Sequence, residues 1–159
     1  FKDAPEDIAS LSALCETTDF SSIIDPDDPS FAHPVSMCKA IKEYCFRTGQ
    51  PQPETPAEFI RCIYLSLARK YKVIIDILEK LSDINIERLH VIGGGSKNQY
   101  LMQMAANAIG KPVICGPAEG TAIGNVLMQI KSAGLIGTLP QMRSIVAKSV
   151  DLKTYNPII

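Results

Sequence analysis

The chain has 159 residues, with 16 Lys and Arg against 17 Asp and Glu, so its formal net charge is -1 at neutral pH. This balance provides no basic surface for nucleic acid, and no basic stretch is interleaved with aromatic residues. No run approaches the ~18 apolar residues of a membrane span, and the start FKDAPEDI is unlike a secretory signal, so we expect a cytoplasmic protein without membrane contact.

The first third of the chain predicts two helices joined by an irregular connection. Pro5 and neighbouring acidic residues suit a first helical turn, and apolar residues recur at helical spacing from Ile8 to Leu14. The segment FSSIIDPDDPSFAHP has the composition of turns, so residues 18–34 are a surface connection and a possible hinge. A second helix is predicted from Pro34 to about Thr48, ended by Gly49.

The longest predicted helix covers residues 56–81. Thr55 and Glu58 form a capping box at its start, in which each side chain accepts from the other residue's main-chain N–H. Apolar residues occupy two faces of this helix, which indicates a central position. The main stripe contains Ile60, Ile63, Tyr64, Leu67, Tyr71, Ile74, Ile75, Leu78 and Leu81, and the other side contains Phe59, Cys62 and Val73.

The second half of the chain alternates strand and helix. LHVI at 89–92 and PVICG at 112–116 read as short strands, each followed by a helix, which predicts parallel pairing with right-handed crossovers. The first of these helices is predicted to have a capping box at Ser96 and Gln99 and to end before Gly110. The second covers about 119–133. A last short helix follows Thr138, and the tail DLKTYNPII is a strand or an extended arm.

The triplet Gly93-Gly94-Gly95 lies between the first strand and its helix. A strand-to-helix turn presents main-chain N–H groups and the positive end of the helix dipole, which suit a phosphate or the polar edge of a ligand. A tight turn without a ligand explains a lone triplet equally well. Both the dinucleotide-binding fingerprint and the hydrolase elbow need glycine where Asn98 stands, and a Walker loop needs Ser or Thr where Pro112 stands. Ser96 is therefore interpreted as a helix cap rather than a nucleophile.

Several motifs of this sequence resemble those of a known family. VIGGGSKN, the stretch from Gln99 to Cys115 and GPAEGTAIGN together resemble the adenosine-binding end of the FGGY carbohydrate kinases, which belong to the actin-like ATPase superfamily. IIDPDDPSFAHPVSM and CFRTGQPQPET indicate the branch that phosphorylates L-rhamnulose. The resemblance covers only the C-terminal part of such a kinase. It implies a mostly helical α/β fold, a partial ribonuclease H-like domain with short parallel strands.

The resemblance implies a set of nucleotide contacts on this chain. Gly93, Gly94 and Gly95 would let the main chain pass against ATP or ADP, Ser96 would cap the helix near the nucleotide, and Asn98 would reach the adenine edge or lie on the surface. Gly120, Thr121, Ala122 and Gly124 form a run of small residues that is explained better by close helix packing.

The chemistry of such a kinase is phosphoryl transfer from ATP with Mg²⁺ to the sugar. The catalytic base and the sugar contacts are supplied upstream in that family, so no catalytic residue is assigned and residues 1–159 alone, as a single domain or fragment, are expected to be inactive. Asp25, Asp27 and Asp28 are read as turn residues. The start at Phe1 rather than Met fits an excised piece.

The five cysteines have neither CxxC spacing nor a zinc-type arrangement with histidine, so no metal site is expected. The resemblance implies that Cys45 and Cys62 could form a disulfide, while a reducing compartment favours two buried thiols. A second hypothesis also stays open: a non-catalytic interaction module with a structural glycine turn. A truncated sheet would expose apolar surface and favour self-association.

Overall fold

The computed structural model describes residues 8–158, which form a mostly helical α/β structure with one small sheet. The predicted order of elements is confirmed over this part of the chain. The helices are α1 (Ile8–Cys15), α2 (Met37–Arg47), α3 (Pro56–Ser82), α4 (Gln99–Ile109), α5 (Gly120–Ser132) and α6 (Leu139–Ser149); the strands are β1 (Leu89–Val91), β2 (Val113–Cys115) and β3 (Lys153–Tyr155).

The sheet has the order β1-β2-β3. β1 and β2 are parallel, with Leu89 opposite Val113, as the alternation of strand and helix predicts. The tail supplies β3, which runs antiparallel to β2 with Tyr155 opposite Val113, so the sheet is mixed rather than wholly parallel. Because β1 and β2 are parallel, the loops that follow them meet at one edge of the sheet.

α3 is the central helix, as predicted. Its capping box at Thr55 and Glu58 is present, and the helix packs against both α1 and α4. α3 contributes residues to two buried clusters. One joins α3 and α4 to the sheet through Ile75, Leu101, Met102, Ala105, Ala106, Ile109, Val113, Cys115 and Tyr155; the other joins α3 to α2 through Ile24, Ile41, Cys45, Phe59 and Cys62.

The second half of α3 differs from the prediction. Ile74, Leu78 and Leu81 of the predicted core stripe are 44%, 48% and 80% exposed, and Val73 and Ile77 beside them are exposed as well. The 27-residue helix is longer than the partners it packs against, so its apolar pattern continues where none of residues 8–158 covers it. Helical periodicity identifies a face that is suited to burial, but it does not identify what buries that face.

The connection before α2 is irregular, as expected, but it is fastened to the helices. Gln50 makes two 2.8 Å hydrogen bonds with Ile23, donating to its carbonyl and accepting from its N–H. The buried Ile24 donates its N–H to Ser66 Oγ of α3 at 2.9 Å. α2 begins at Met37 rather than at Pro34, because Ser36 is the cap and accepts from the Lys39 N–H. A hinge in this connection stays a prediction.

All five cysteines are free thiols in this structure. Cys45 and Cys62 are fully buried in the α2–α3 cluster. Burial raises the pKa of Cys62 to about 12 and that of Cys15 to about 11. The disulfide between Cys45 and Cys62 therefore stays a prediction for oxidising conditions.

Alkylation should separate these thiols by burial. With iodoacetamide at pH 8, we expect the half-buried Cys38 to react in the folded protein while Cys45 and Cys62 do not, because they are inaccessible and the pKa of each is raised, which keeps the reactive thiolate scarce. Mass spectrometry locates the label. Labelling of Cys62 as fast as Cys38 would contradict the burial, and a count of three thiols after unfolding without reductant would establish the disulfide.

Candidate functional site

The glycine triplet forms a bend between β1 and α4. Gly93 has φ +89° and ψ -177°, a conformation that is essentially restricted to glycine. Residues Gly94–Lys97 then form a short 3₁₀ turn, and α4 begins only at Gln99. The predicted strand-to-helix link is therefore present, with an extra turn inserted before the helix.

The outer side of this bend is open. A Cβ atom added at Gly93, Gly94 or Gly95 would meet no atom within 4 Å, and the last two residues are exposed. Gly94 and Gly95 do not have positive φ, so neither the backbone conformation nor internal packing requires glycine there. Their missing side chains leave bare main chain facing outward, as a site for close approach of another molecule would need.

Ser96 closes the bend from inside. It is 7% exposed, and its hydroxyl lies 2.7 Å from the Gly93 carbonyl and 3.3 Å from the Gly116 carbonyl. Gly93 also donates its N–H to the Pro117 carbonyl, so the loops after β1 and β2 are bonded to each other. The predicted capping role of Ser96 is wrong, because the 3₁₀ turn places this residue ahead of the helix rather than at its start.

Asn98 is the cap of α4. Its Oδ1 accepts from the Leu101 N–H at 3.0 Å and from the Ser12 hydroxyl at 3.3 Å, and its Nδ2 donates to Tyr64 Oη at 2.7 Å. The side chain is 7% exposed, so it is not the surface residue that the alternative interpretation describes. Tyr64 and Ser12 are members of this site that sequence reasoning missed, because Tyr64 reads as one more residue of an apolar stripe.

The glycines of the second loop have a different role. A Cβ at Gly116 would lie 3.0 Å from Ile92 Cγ2, and one at Gly120 would lie 3.2 Å from Ile92 Cδ1. Both glycines lie close against the side chain of Ile92, which would have to shift by a few tenths of an ångström to admit a Cβ. Close packing is thus confirmed for Gly120, whereas Gly124 meets no atom within 4 Å.

The acidic connection is held by ion pairs. Lys70 Nζ lies 3.0 Å from Asp25 and 2.6 Å from Asp27, and Arg47 lies 2.8 Å from Asp28. The hydrogen bond from Lys70 lowers the pKa of Asp25. These carboxylates attach the connection to α3 and α2, in agreement with their interpretation as turn residues.

Residues 8–158 contain neither a cluster of side chains for a metal ion nor a membrane-spanning helix. No group of three His, Cys, Asp or Glu side chains in that range is arranged to hold a metal ion. No helix in the same range combines the length and the apolar composition of a membrane span.

Comparison with known proteins gives one family. The model of the FGGY family of carbohydrate kinases, C-terminal domain, matches residues 2–133. A rhamnulokinase of Bacteroides thetaiotaomicron is 51% identical over 138 residues, which are 87% of this chain and 28% of that protein. A rhamnulokinase of Oceanobacillus iheyensis is 40% identical over 149 residues, 94% of this chain and 32% of that protein. The chain spans about 30% of the length of such curated relatives.

Two solved structures are similar to this chain in fold. The Plasmodium falciparum glycerol kinase with ADP matches with a TM-score of 0.66 at 16% identity, over 98% of this chain and 31% of that one. The xylulose kinase from Rhodospirillum rubrum matches with a TM-score of 0.58 at 16% identity, over 94% and 29%. The expected actin-like ATPase fold is therefore confirmed.

Alanine substitution should distinguish Gly93, whose backbone conformation needs glycine, from Gly95, whose conformation does not. Gly93→Ala should lower the free energy of unfolding by about 1–2 kcal/mol, since only the strained φ opposes the new methyl group. Gly95→Ala should change it by less than about 0.5 kcal/mol, because its φ is compatible with alanine and its surroundings are open. Urea denaturation measures both, and equal losses would contradict this division.

Proposed function

This chain belongs to the FGGY family of carbohydrate kinases, and from that membership we propose that it carries the nucleotide-binding part of an ATP-dependent sugar kinase. The observation that carries the proposal is the bare main chain at Gly94 and Gly95, which faces open space although nothing inside the fold requires glycine there. An adenine or ribose can approach this surface more closely than any side chain would allow.

Each residue of the bend has a part in this proposal. Gly93 provides the turn, and Gly94 and Gly95 provide the surface that contacts the nucleotide. Ser96 fixes the bend from inside through its hydrogen bonds to Gly93 and Gly116. Asn98 has one amide hydrogen without an acceptor among residues 8–158, and we assign this hydrogen to the edge of adenine.

The reaction that we propose for the longer protein is ATP plus L-rhamnulose giving ADP plus L-rhamnulose 1-phosphate. Relatives named rhamnulokinase, up to 51% identical to this chain, support this choice of sugar. The sugar 1-hydroxyl oxygen attacks the γ-phosphorus, the bond between that phosphorus and the β-phosphate oxygen breaks, and a base accepts the hydroxyl proton.

A cytoplasmic location fits the five cysteines, which are all thiols in this structure, and cell fractionation would test it.

The 159 residues alone should not catalyse this reaction. The chain spans about 30% of the length of its rhamnulokinase relatives, and we assign the metal and the base to the rest of a longer protein. The aspartates of the connection are engaged with Lys70 and Arg47. Supplied with ATP and L-rhamnulose, the chain should form no ADP in a coupled assay above a blank without protein, and turnover would contradict this assignment.

Nucleotide binding tests the proposal directly. We expect weak binding of ADP, and Gly94→Val should weaken it at least about 10-fold, because the added side chain fills the proposed contact without meeting any protein atom at its Cβ. Gly124→Val, also at an open position but in α5, is the matched control and should leave binding unchanged. Amide chemical shifts of residues 93–98 report the binding. Wild-type protein without any shift at millimolar ADP would contradict the proposal.

A second candidate is an interaction module, favoured by the exposed apolar residues of α3. Val73, Ile77 and Leu81 share one helix face with Ile74 and Leu78, and all five are at least 41% exposed. A face of this kind favours self-association, whichever candidate is right. Sedimentation should show oligomers that Leu78→Lys reduces and the control Met128→Lys, at an exposed position of α5, does not. Association without any response to ADP would favour the interaction module.

A further inference from the structure

We propose that Tyr64 is a positioning residue for the glycine bend and that it acts through the side-chain amide of Asn98. The inference rests on the proposed function only in taking the bend to be a contact surface for a nucleotide. The positioning itself is a property of the nucleotide-free protein and can be tested there.

The amide of Asn98 can have only one orientation. The main-chain N–H of Leu101 can only donate, so the atom 3.0 Å away from it must be the oxygen of the Asn98 amide. The amide nitrogen then faces Tyr64 Oη at 2.7 Å, where the phenol oxygen accepts. The Ser12 hydroxyl donates to the same amide oxygen at 3.3 Å. The Leu101 N–H therefore sets the orientation of the amide, and the Tyr64 hydroxyl of α3 holds its nitrogen end.

Asn98 is also bonded to the bend through its main chain. Its N–H donates to the Gly95 carbonyl at 3.1 Å, and its own carbonyl accepts from the Met102 N–H at 3.0 Å. A change in the position of Asn98 must therefore move or release Gly95, one of the two open glycines. Two hydrogen bonds of Asn98 therefore connect the Tyr64 hydroxyl to the main chain of Gly95.

Tyr64 has a rigid support. It lies in the first half of α3 and packs against the cluster that joins α3, α4 and the sheet. Its ring centroid is 6.2 Å from that of Tyr100 in α4, and the Tyr100 hydroxyl lies 3.3 Å from the Arg61 guanidinium. α3 and α4 therefore hold the ring, and its hydroxyl accepts from the cap residue Asn98.

Removing that hydroxyl has a defined consequence. Phenylalanine at position 64 would keep the ring and its packing but leave the Asn98 Nδ2 without this acceptor at a residue that is 7% exposed. A buried donor without a partner is unfavourable, so the amide should turn toward water and release the Leu101 N–H. The start of α4 and the Gly95 carbonyl would then lose their fixed position.

The test compares Tyr64→Phe with Tyr71→Phe in protein without nucleotide. Tyr71 lies on the same helix and packs against the same cluster, so its substitution controls for the loss of a phenol from α3. Hydrogen exchange of the Leu101 amide should become about 3- to 10-fold faster in Tyr64→Phe and stay unchanged in Tyr71→Phe. The amide shifts of Gly94 and Gly95 should move only in Tyr64→Phe. Equal exchange in the two variants would overturn the inference.

A double-mutant cycle shows whether the effect passes through Asn98. Asn98→Ala should itself accelerate exchange of the Leu101 amide, and adding Tyr64→Phe to it should cause no further change. Additive effects would mean that Tyr64 acts by packing, and they would also overturn the inference. For ADP, Tyr64→Phe should weaken affinity about 3- to 10-fold while Tyr71→Phe does not. If wild-type protein binds no ADP, the proposed function fails, and the exchange cycle still decides the role of Tyr64.

Discussion

The structure depends on the bonding of two loops at one edge of the sheet. Because β1 and β2 are parallel, their carboxyl ends meet, and Ser96 donates to a carbonyl of each following loop. The positive φ of Gly93 is what brings Ser96 to that position. The open surface of the triplet is the outer side of this closure, so the internal hydrogen bond and the surface proposed to bind nucleotide come from the same four residues.

α3 supports this edge from behind and connects it to the rest of the fold. Arg61 of α3 donates to the Cys15 and Phe20 carbonyls and to Tyr100, which ties α1 and the irregular connection to α4. At its other end, Glu79 accepts from Lys111 and from the Ile86 N–H, which fixes the approach to β1. The helix that carries Tyr64 is thus held at both ends, and a hydroxyl on it can serve as a fixed reference point.

The sequence predicted elements wherever a local signal was sufficient. The capping box at Thr55, the last helix after Thr138 and the strands on either side of α4 are confirmed, because short-range hydrogen bonds and hydrophobic runs determine them. The predicted cap at Ser96 is wrong, since a 3₁₀ turn over Gly94–Lys97 moves the start of α4 to Gln99 and the Ser96 hydroxyl bonds inward, to Gly93 and to Gly116, 20 residues away. The role of Tyr64 and the exposure of Leu81 also depend on distant partners, which periodicity does not identify.

The glycines near this edge differ in what requires a glycine at each position. This difference supports the proposed nucleotide contact at Gly94 and Gly95. Gly93 is needed for its backbone conformation, and Gly116 and Gly120 let the second loop and the start of α5 lie close against Ile92. Gly94 and Gly95 meet neither need, although each glycine in a chain costs conformational entropy on folding. Gly124 also meets neither need, but it lies within α5, whereas Gly94 and Gly95 expose their main chain beside the carboxyl ends of the parallel strands. That exposed main chain is the surface proposed to contact the nucleotide.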